Sequence, residues 1–174
     1  MRILKQATGF SIIELMVVLA LFAILAATTT PSVKSWLRTY KTKGAARDLY
    51  SYLQTAKIGA TKENRQWKVV FNPSGSYEVI KCLTSTCEAG VLNTDYEISK
   101  TMSFSTDYKD DIKFKNPASS IVFDSNPLVF NPNGLTNQGY VYLSDRDDTR
   151  FYRVGLPSFA GAIVMQKWTG SGWD

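Results

Sequence analysis

The chain has 174 residues, 20 of them basic and 15 acidic, for a formal net charge of +5, and 44% of its side chains are hydrophobic. That length suits one ordinary domain plus an extension. There is no histidine, so Ser-His-Asp and Cys-His catalysis within the chain, and zinc binding through imidazole, are excluded.

Charge is unevenly placed. Through Val70, eleven basic residues face three acidic ones; beyond it, nine face twelve. The high sequence pI therefore belongs to the first part of the chain.

Residues 1–9 form a short basic leader carrying Arg2 and Lys5. Phe10 to Thr30, FSIIELMVVLALFAILAATTT, is an apolar stretch interrupted by one acidic side chain, Glu14, and from Ile12 to Ala27 no other residue is polar. About 20 residues at roughly 1.5 Å each match a bilayer core of about 30 Å, so a transmembrane helix is expected here. A lone carboxylate costs about 2.5–3.5 kcal/mol at mid-bilayer and somewhat less nearer the interface, which marks Glu14 as a pairing residue. The leader charges favour a cytoplasmic N-terminus. Lys34, Arg38, Lys41 and Lys43 crowd the other end, so flanking charge alone does not set orientation. A cleaved secretory signal would share the basic start and could end at Ala26-Ala27, but a carboxylate in its core would impede insertion.

Pro31 removes a backbone bond and is expected to kink or loosen the helix. Beyond it Val33, Trp36, Leu37, Tyr40, Ala45, Leu49, Leu53, Ala56 and Ala60 recur at three- and four-residue steps, predicting helix to about Asn64. A helix from Phe10 to Asn64 exceeds what a small globule can bury, so half of it must project. Lys34, Arg38 and Lys41 share one face, suited to anionic headgroups, to acidic patches on adjacent subunits, or to solvent.

From Gln66 the period changes to two. QWKVVFN, the turn PSGS and YEVIK read as a hairpin. Further strands are expected at Glu97–Phe104, Asp111–Lys115, Ser120–Phe123, Leu128–Phe130, Tyr140–Ser144, Phe151–Val154 and Ile163–Trp168. The predicted class is α+β: a long N-terminal helix, its first half transmembrane, with the second half packed on a mainly antiparallel sheet or pair of sheets. Cys82 and Cys87, behind an export segment, are expected to form a disulfide, and closing so short a loop contributes about 2 kcal/mol. Asp145, Asp147 and Asp148 are weak candidates for a hard cation such as calcium. The glycine-bearing loop that would make such a site specific is missing, so no metal or cofactor is expected.

Gly9-Phe10-Ser11-Ile12-Ile13-Glu14-Leu15 resembles the processing and methylation motif of type IV pilins and type II secretion pseudopilins. Val129-Phe130-Asn131-Pro132-Asn133-Gly134, Gly139-Tyr140-Val141-Tyr142-Leu143, Tyr152-Arg153-Val154-Gly155-Leu156 and Ala160-Gly161-Ala162-Ile163-Val164 resemble the pseudopilin H and FimT/FimU group of minor pilins. The resemblance implies a pilin fold divided into a leader (1–9), a transmembrane or filament-core helix (10–30), the rest of the stem (31–65) and a β-rich domain (66–174). It implies cleavage after Gly9 by prepilin peptidase, methylation of Phe10, and pairing of Glu14 with the Phe10 amine of a neighbouring subunit. Lipid tails are as apolar as leucine, so it is this charge pair, and not the hydrophobic effect, that would favour a neighbouring helix over lipid. The implied role is structural, not enzymatic: a single-pass inner-membrane subunit with a periplasmic domain, joining other minor pilins or pseudopilins and the major pilin. Some FimT-like relatives bind DNA through a C-terminal Gly-Arg-x-Arg motif. The matching place here, Gly161-Ala162-Ile163-Val164, has neither arginine, and Lys167, Arg150 and Arg153 are offset by the nearby aspartates, so DNA is not an expected partner.

Overall fold

The computed structural model describes residues 9–83, 96–103, 108, 111–119 and 122–174, without the side chains of 28–32, 96 and 99–100. It divides into two compact units, Met1–Leu37 and Arg38–Asp174.

A single helix, α1, covers Ile12–Glu63. Its assignment passes through Pro31, so the lost backbone bond does not end it. It stops where Asn64 adopts a left-handed φ of 51° and Arg65 N–H reaches back to the Ala60 carbonyl at 3.2 Å, the six-to-one bond of a Schellman cap with asparagine in glycine's usual place.

In the first unit the apolar side chains of α1 face outward: Ile12 is 79% exposed and Leu25 61%. Among the described residues, no helix is long and apolar enough to cross a membrane. The stretch of described apolar side chains ends at Ala27, short of the roughly 20 residues a span needs.

In the second unit Ala45, Ala46, Leu49, Leu53, Ala56 and Ala60 are fully buried, the stripe that a period of 3.6 puts on one face. Val33, Trp36, Leu37 and Tyr40 continue that pattern in sequence but are exposed. Periodicity identifies an apolar face and cannot say where the covering sheet begins; here burial begins at Thr42.

The rest of this unit is two four-stranded antiparallel sheets. One takes the order β3-β2-β1-β5, from β1 (Trp67–Asn72), β2 (Ser76–Cys82), β3 (Tyr96–Ser103) and β5 (Leu128–Phe130). The other takes β4-β6-β7-β8, from β4 (Ile112–Phe114), β6 (Gly139–Asp145), β7 (Phe151–Leu156) and β8 (Val164–Lys167). The α+β class with antiparallel pairing is as expected from the sequence. Of the predicted strand at Ser120–Phe123, residues 120–121 lie outside the described residues, and Phe123 makes an isolated antiparallel bridge to Val141.

The β1–β2 turn shows local chemistry setting register. Asn72 pairs with Ser76 across Pro73-Ser74-Gly75, and Gly75 sits at φ 92°, the left-handed position that three-residue hairpin loops require. Inward residues of both sheets meet the α1 stripe in one core: Trp67, Val69, Phe71, Tyr77, Leu128 and Phe130 from the first, Val141, Leu143, Tyr152, Val154 and Leu156 from the second. Gly155 is required where β7 pairs with β6, because a Cβ there would lie 2.1 Å from the Gly139 carbonyl oxygen.

Candidate assembly site

Helix α1 begins beside the predicted processing point. Ser11 immediately precedes it, and the Leu15 N–H bonds the Ser11 carbonyl at 3.1 Å, which places Ser11 at the N-cap and Glu14 at the third helical position. Ser-x-x-Glu is the spacing of a capping box. A carboxylate in the first turn is favoured by the helix dipole by about 0.3–1 kcal/mol, which offsets part of the cost of its apolar surroundings.

Gly9 and Glu14 are exposed, and Phe10 is 80% exposed. Phe10 precedes Glu14 by four residues, about one helical turn. Cleavage after Gly9 would leave a new ammonium at Phe10 within that distance of the carboxylate. From Ile12 to Ala27 every described side chain is exposed. A contiguous apolar surface of this kind marks an interface with protein or lipid.

The acidic turn between β6 and β7 is tied down by hydrogen bonds and ion pairs within the domain. Asp145 is 2% exposed. Its carboxylate accepts from the Thr149 N–H at 2.7 Å, the Arg150 N–H at 3.1 Å and the Arg150 guanidinium at 3.2 Å. Burial alone would raise its pKa, but these donors and the Thr149 hydroxyl hold it below the usual carboxylate value. Asp148, at φ 56°, accepts from Lys115 at 2.6 Å, Lys113 at 3.0 Å and the Ser144 hydroxyl at 2.8 Å. Partial burial opposes ionisation there too, and the lysines and Ser144 outweigh it, bringing its pKa down to about 2. Asp147 pairs with Arg38 of α1. The three carboxylates thus turn to three different cation sets, and among the described residues no group of three ligands could hold a metal ion.

Two cations of the predicted stem face are also absorbed internally: Arg38 by Asp147 and Lys41 by Asp111. Lys34 is exposed. Near the C-terminal segment, the Arg153 guanidinium lies 4.2 Å from the Tyr140 ring centre and 4.8 Å from that of Trp173, and its Nε donates to Gln166 at 2.9 Å. Cation–π contact with both rings engages the charge. Tyr142, behind them, donates to Asp124 at 2.9 Å; burial, then that bond and the aspartate's charge, push its pKa up to about 12. Ile163, in the place of the absent DNA motif, is buried in the core. Cys82 is fully buried at the end of β2, and Cys87 lies outside the described residues.

A long N-terminal helix leading into antiparallel sheets, with its apolar start bare behind a Gly-Phe-x-x-x-Glu sequence, defines the pilin-like class of filament subunits. Residues 4–30 match the prokaryotic N-terminal methylation motif. Residues 45–157, more than half of the chain, match the type II transport protein GspH pattern, and the chain belongs to that family. Among solved structures, the type IV minor pilin FimU of Pseudomonas aeruginosa aligns at a TM-score of 0.50 and 15% identity, over 78% of this chain and 94% of that one. The likeness shows the fold. The minor pseudopilin EpsH from the type 2 secretion system of Vibrio cholerae aligns at 0.46 and 12% identity, over 72% of this chain and 95% of that one. A comparison with curated protein sequences found no match.

Proposed function

We propose that this chain is a minor pilin or pseudopilin, a structural subunit that helps initiate or tip a type IV pilus or a type II secretion pseudopilus. The observation that carries the reading is the bare apolar helix start, with one carboxylate in its first turn, inside a segment that matches the methylation motif. The chain is made with a leader, is cleaved after Gly9 by prepilin peptidase and is methylated at Phe10. Until assembly it is held in the inner membrane by residues 10–30, with its β domain in the periplasm. Glu14 then meets the Phe10 ammonium of an adjoining subunit, another minor pilin or the major pilin. Cys82 and Cys87 close a disulfide in that oxidising compartment.

Replacing Glu14 by Gln removes the charge and keeps the shape. Recruitment into the initiating complex, measured by co-purification from membranes, should then fall at least about tenfold, the factor expected when a charge pair is broken out of water. Unchanged recruitment would remove the reading. Processing is tested separately by mass: the mature chain should begin at methylated Phe10, and a terminus at Thr28 would instead mean a secretory signal.

A further inference from the structure

Just past its apolar run, α1 changes character. Trp36 is 66% exposed, and Val33 and Leu37 are exposed with it. Their spacing of three and four residues puts them on one side of the helix. Lys34 is exposed beside them, and between Glu14 and Asp48 the sequence contains no acidic residue. All four residues lie in the first unit. Up to Ala27 that unit offers only apolar side chains and Glu14; here an indole and an ammonium stand among the apolar groups.

Helix length fixes where these side chains fall. A hydrocarbon core of about 30 Å takes about 20 residues of helix, and each headgroup layer adds about 5–7 Å, or roughly four or five residues. Glu14 and Lys34 stand about 20 residues apart on α1. A bilayer whose core spans the helix between them has its two polar boundaries at these two residues, and the layer beyond Lys34 holds Trp36 and Leu37. An indole gains most in such a layer, with its ring among acyl chains and its N–H towards water. A lysine there lays its apolar stem along the lipid and delivers its charge to the phosphates. A protein surface would cover Val33, Trp36 and Leu37 equally well, but gives no reason for a cation and an indole at one bilayer thickness from Glu14.

We propose that Lys34 and Trp36 anchor the unassembled chain at the outer boundary of the bilayer, the ammonium on anionic lipid phosphates and the indole in the headgroup layer, and that this sets the depth of α1 so that Glu14 rests at the opposite boundary. This rests on the membrane placement of residues 10–30 proposed above, and adds to it the lipid headgroup and the residues that meet it. A carboxylate costs less at a boundary than at mid-bilayer, so the chain can wait in the membrane before Glu14 has a partner.

The test reconstitutes the full chain in vesicles of phosphatidylethanolamine and phosphatidylglycerol whose acyl chains carry bromine either near the headgroups or near the bilayer centre. The fluorescence lost in the Trp36→Phe chain isolates Trp36 from Trp67, Trp168 and Trp173. That signal should be quenched at least about twofold more by shallow than by deep bromine. Lys34→Glu should lower the shallow quenching by about half in these vesicles and leave it unchanged in uncharged phosphatidylcholine. In the Trp36→Phe chain, Leu15→Trp, beside Glu14, should repeat the shallow pattern, and Phe22→Trp should be quenched best by deep bromine. Deep quenching of Trp36 or of Leu15→Trp overturns the proposal, as does a Lys34→Glu effect that is absent or the same in both lipids. An unquenched Trp36 whose emission shifts to the blue only when other minor subunits are added overturns it in favour of a protein contact. The Phe22→Trp chain separates the two readings: deep quenching there with none at Trp36 removes this inference alone, and no quenching at either removes the membrane placement as well.

Discussion

Asp145 and Asp148 carry depressed pKa values because the folded chain supplies donors that the unfolded chain does not. Ionisation of both therefore stabilises the fold above the ordinary carboxylate pKa of 3.8, and that contribution is lost as pH falls through the folded values, about 2 for Asp148. Thermal melts should be level from neutral pH down to about 5 and then decline steeply between about 4 and 2. An Asp148→Asn chain should show a shallower decline. The sequence exposed this turn as three acids and no more. Its partners Arg38, Lys113 and Lys115 lie 109, 35 and 33 residues away, and linear spacing says nothing about such pairs. The asparagines of Asn131-Pro132-Asn133-Gly134 were likewise legible only as a turn. Asn131 takes a bond from Gln66 at 2.8 Å, and the Asn133 side chain accepts from the Leu135 N–H at 3.0 Å, so the motif braces the helix exit against the second half of the domain.

Among the elements, the helix and most strands could be read from periodicity because burial enforces it. Leu49, Leu53, Ala56 and Ala60 are all fully buried, as a 3.6-residue step requires. Trp36 and Tyr40 fit the same step and are exposed, because the pattern does not encode where its cover ends. The close approach of β7 to β6 at Gly155 has no periodic signal in the sequence. Gly155→Ala would drive a methyl group into the Gly139 carbonyl and within 2.7 Å of the Tyr140 Cα. Because both obstacles are backbone, the strands must separate, and a loss of more than about 3 kcal/mol is expected in chemical denaturation. Gly44→Ala, in open space on a helix, should instead gain about 1 kcal/mol.

For the molecule as a whole, the buried core among the described residues runs from Ala45 to Ile163, with Met165 packed against it. A shortened chain, Arg38–Asp174, should therefore fold alone and remain monomeric, with a melting temperature within a few degrees of the full chain in detergent, about what a loss below 1 kcal/mol produces. Size-exclusion chromatography and circular dichroism check both points. Division of labour follows: one unit holds the core, and the other offers an apolar surface that is complete only when something else covers it. The sequence showed this division through the placement of its apolar runs and through Glu14. It did not show how the second unit's cations are shared out, since that depends on which aspartates the fold brings to α1.

The far end of the chain adds a constraint of a different kind. Asp174 exchanges both backbone bonds with Lys167, at 2.7 and 3.0 Å, and so sits along the terminal residue of β8. The Asn137 amide holds the Val129 N–H at 2.7 Å and the Pro127 carbonyl at 2.8 Å, doing the same for β5. Strand borders left bare invite indiscriminate stacking of one molecule on another. At Lys167 and along β5 the chain occupies its own strand borders, and pairing of one molecule's sheet on another's is disfavoured there.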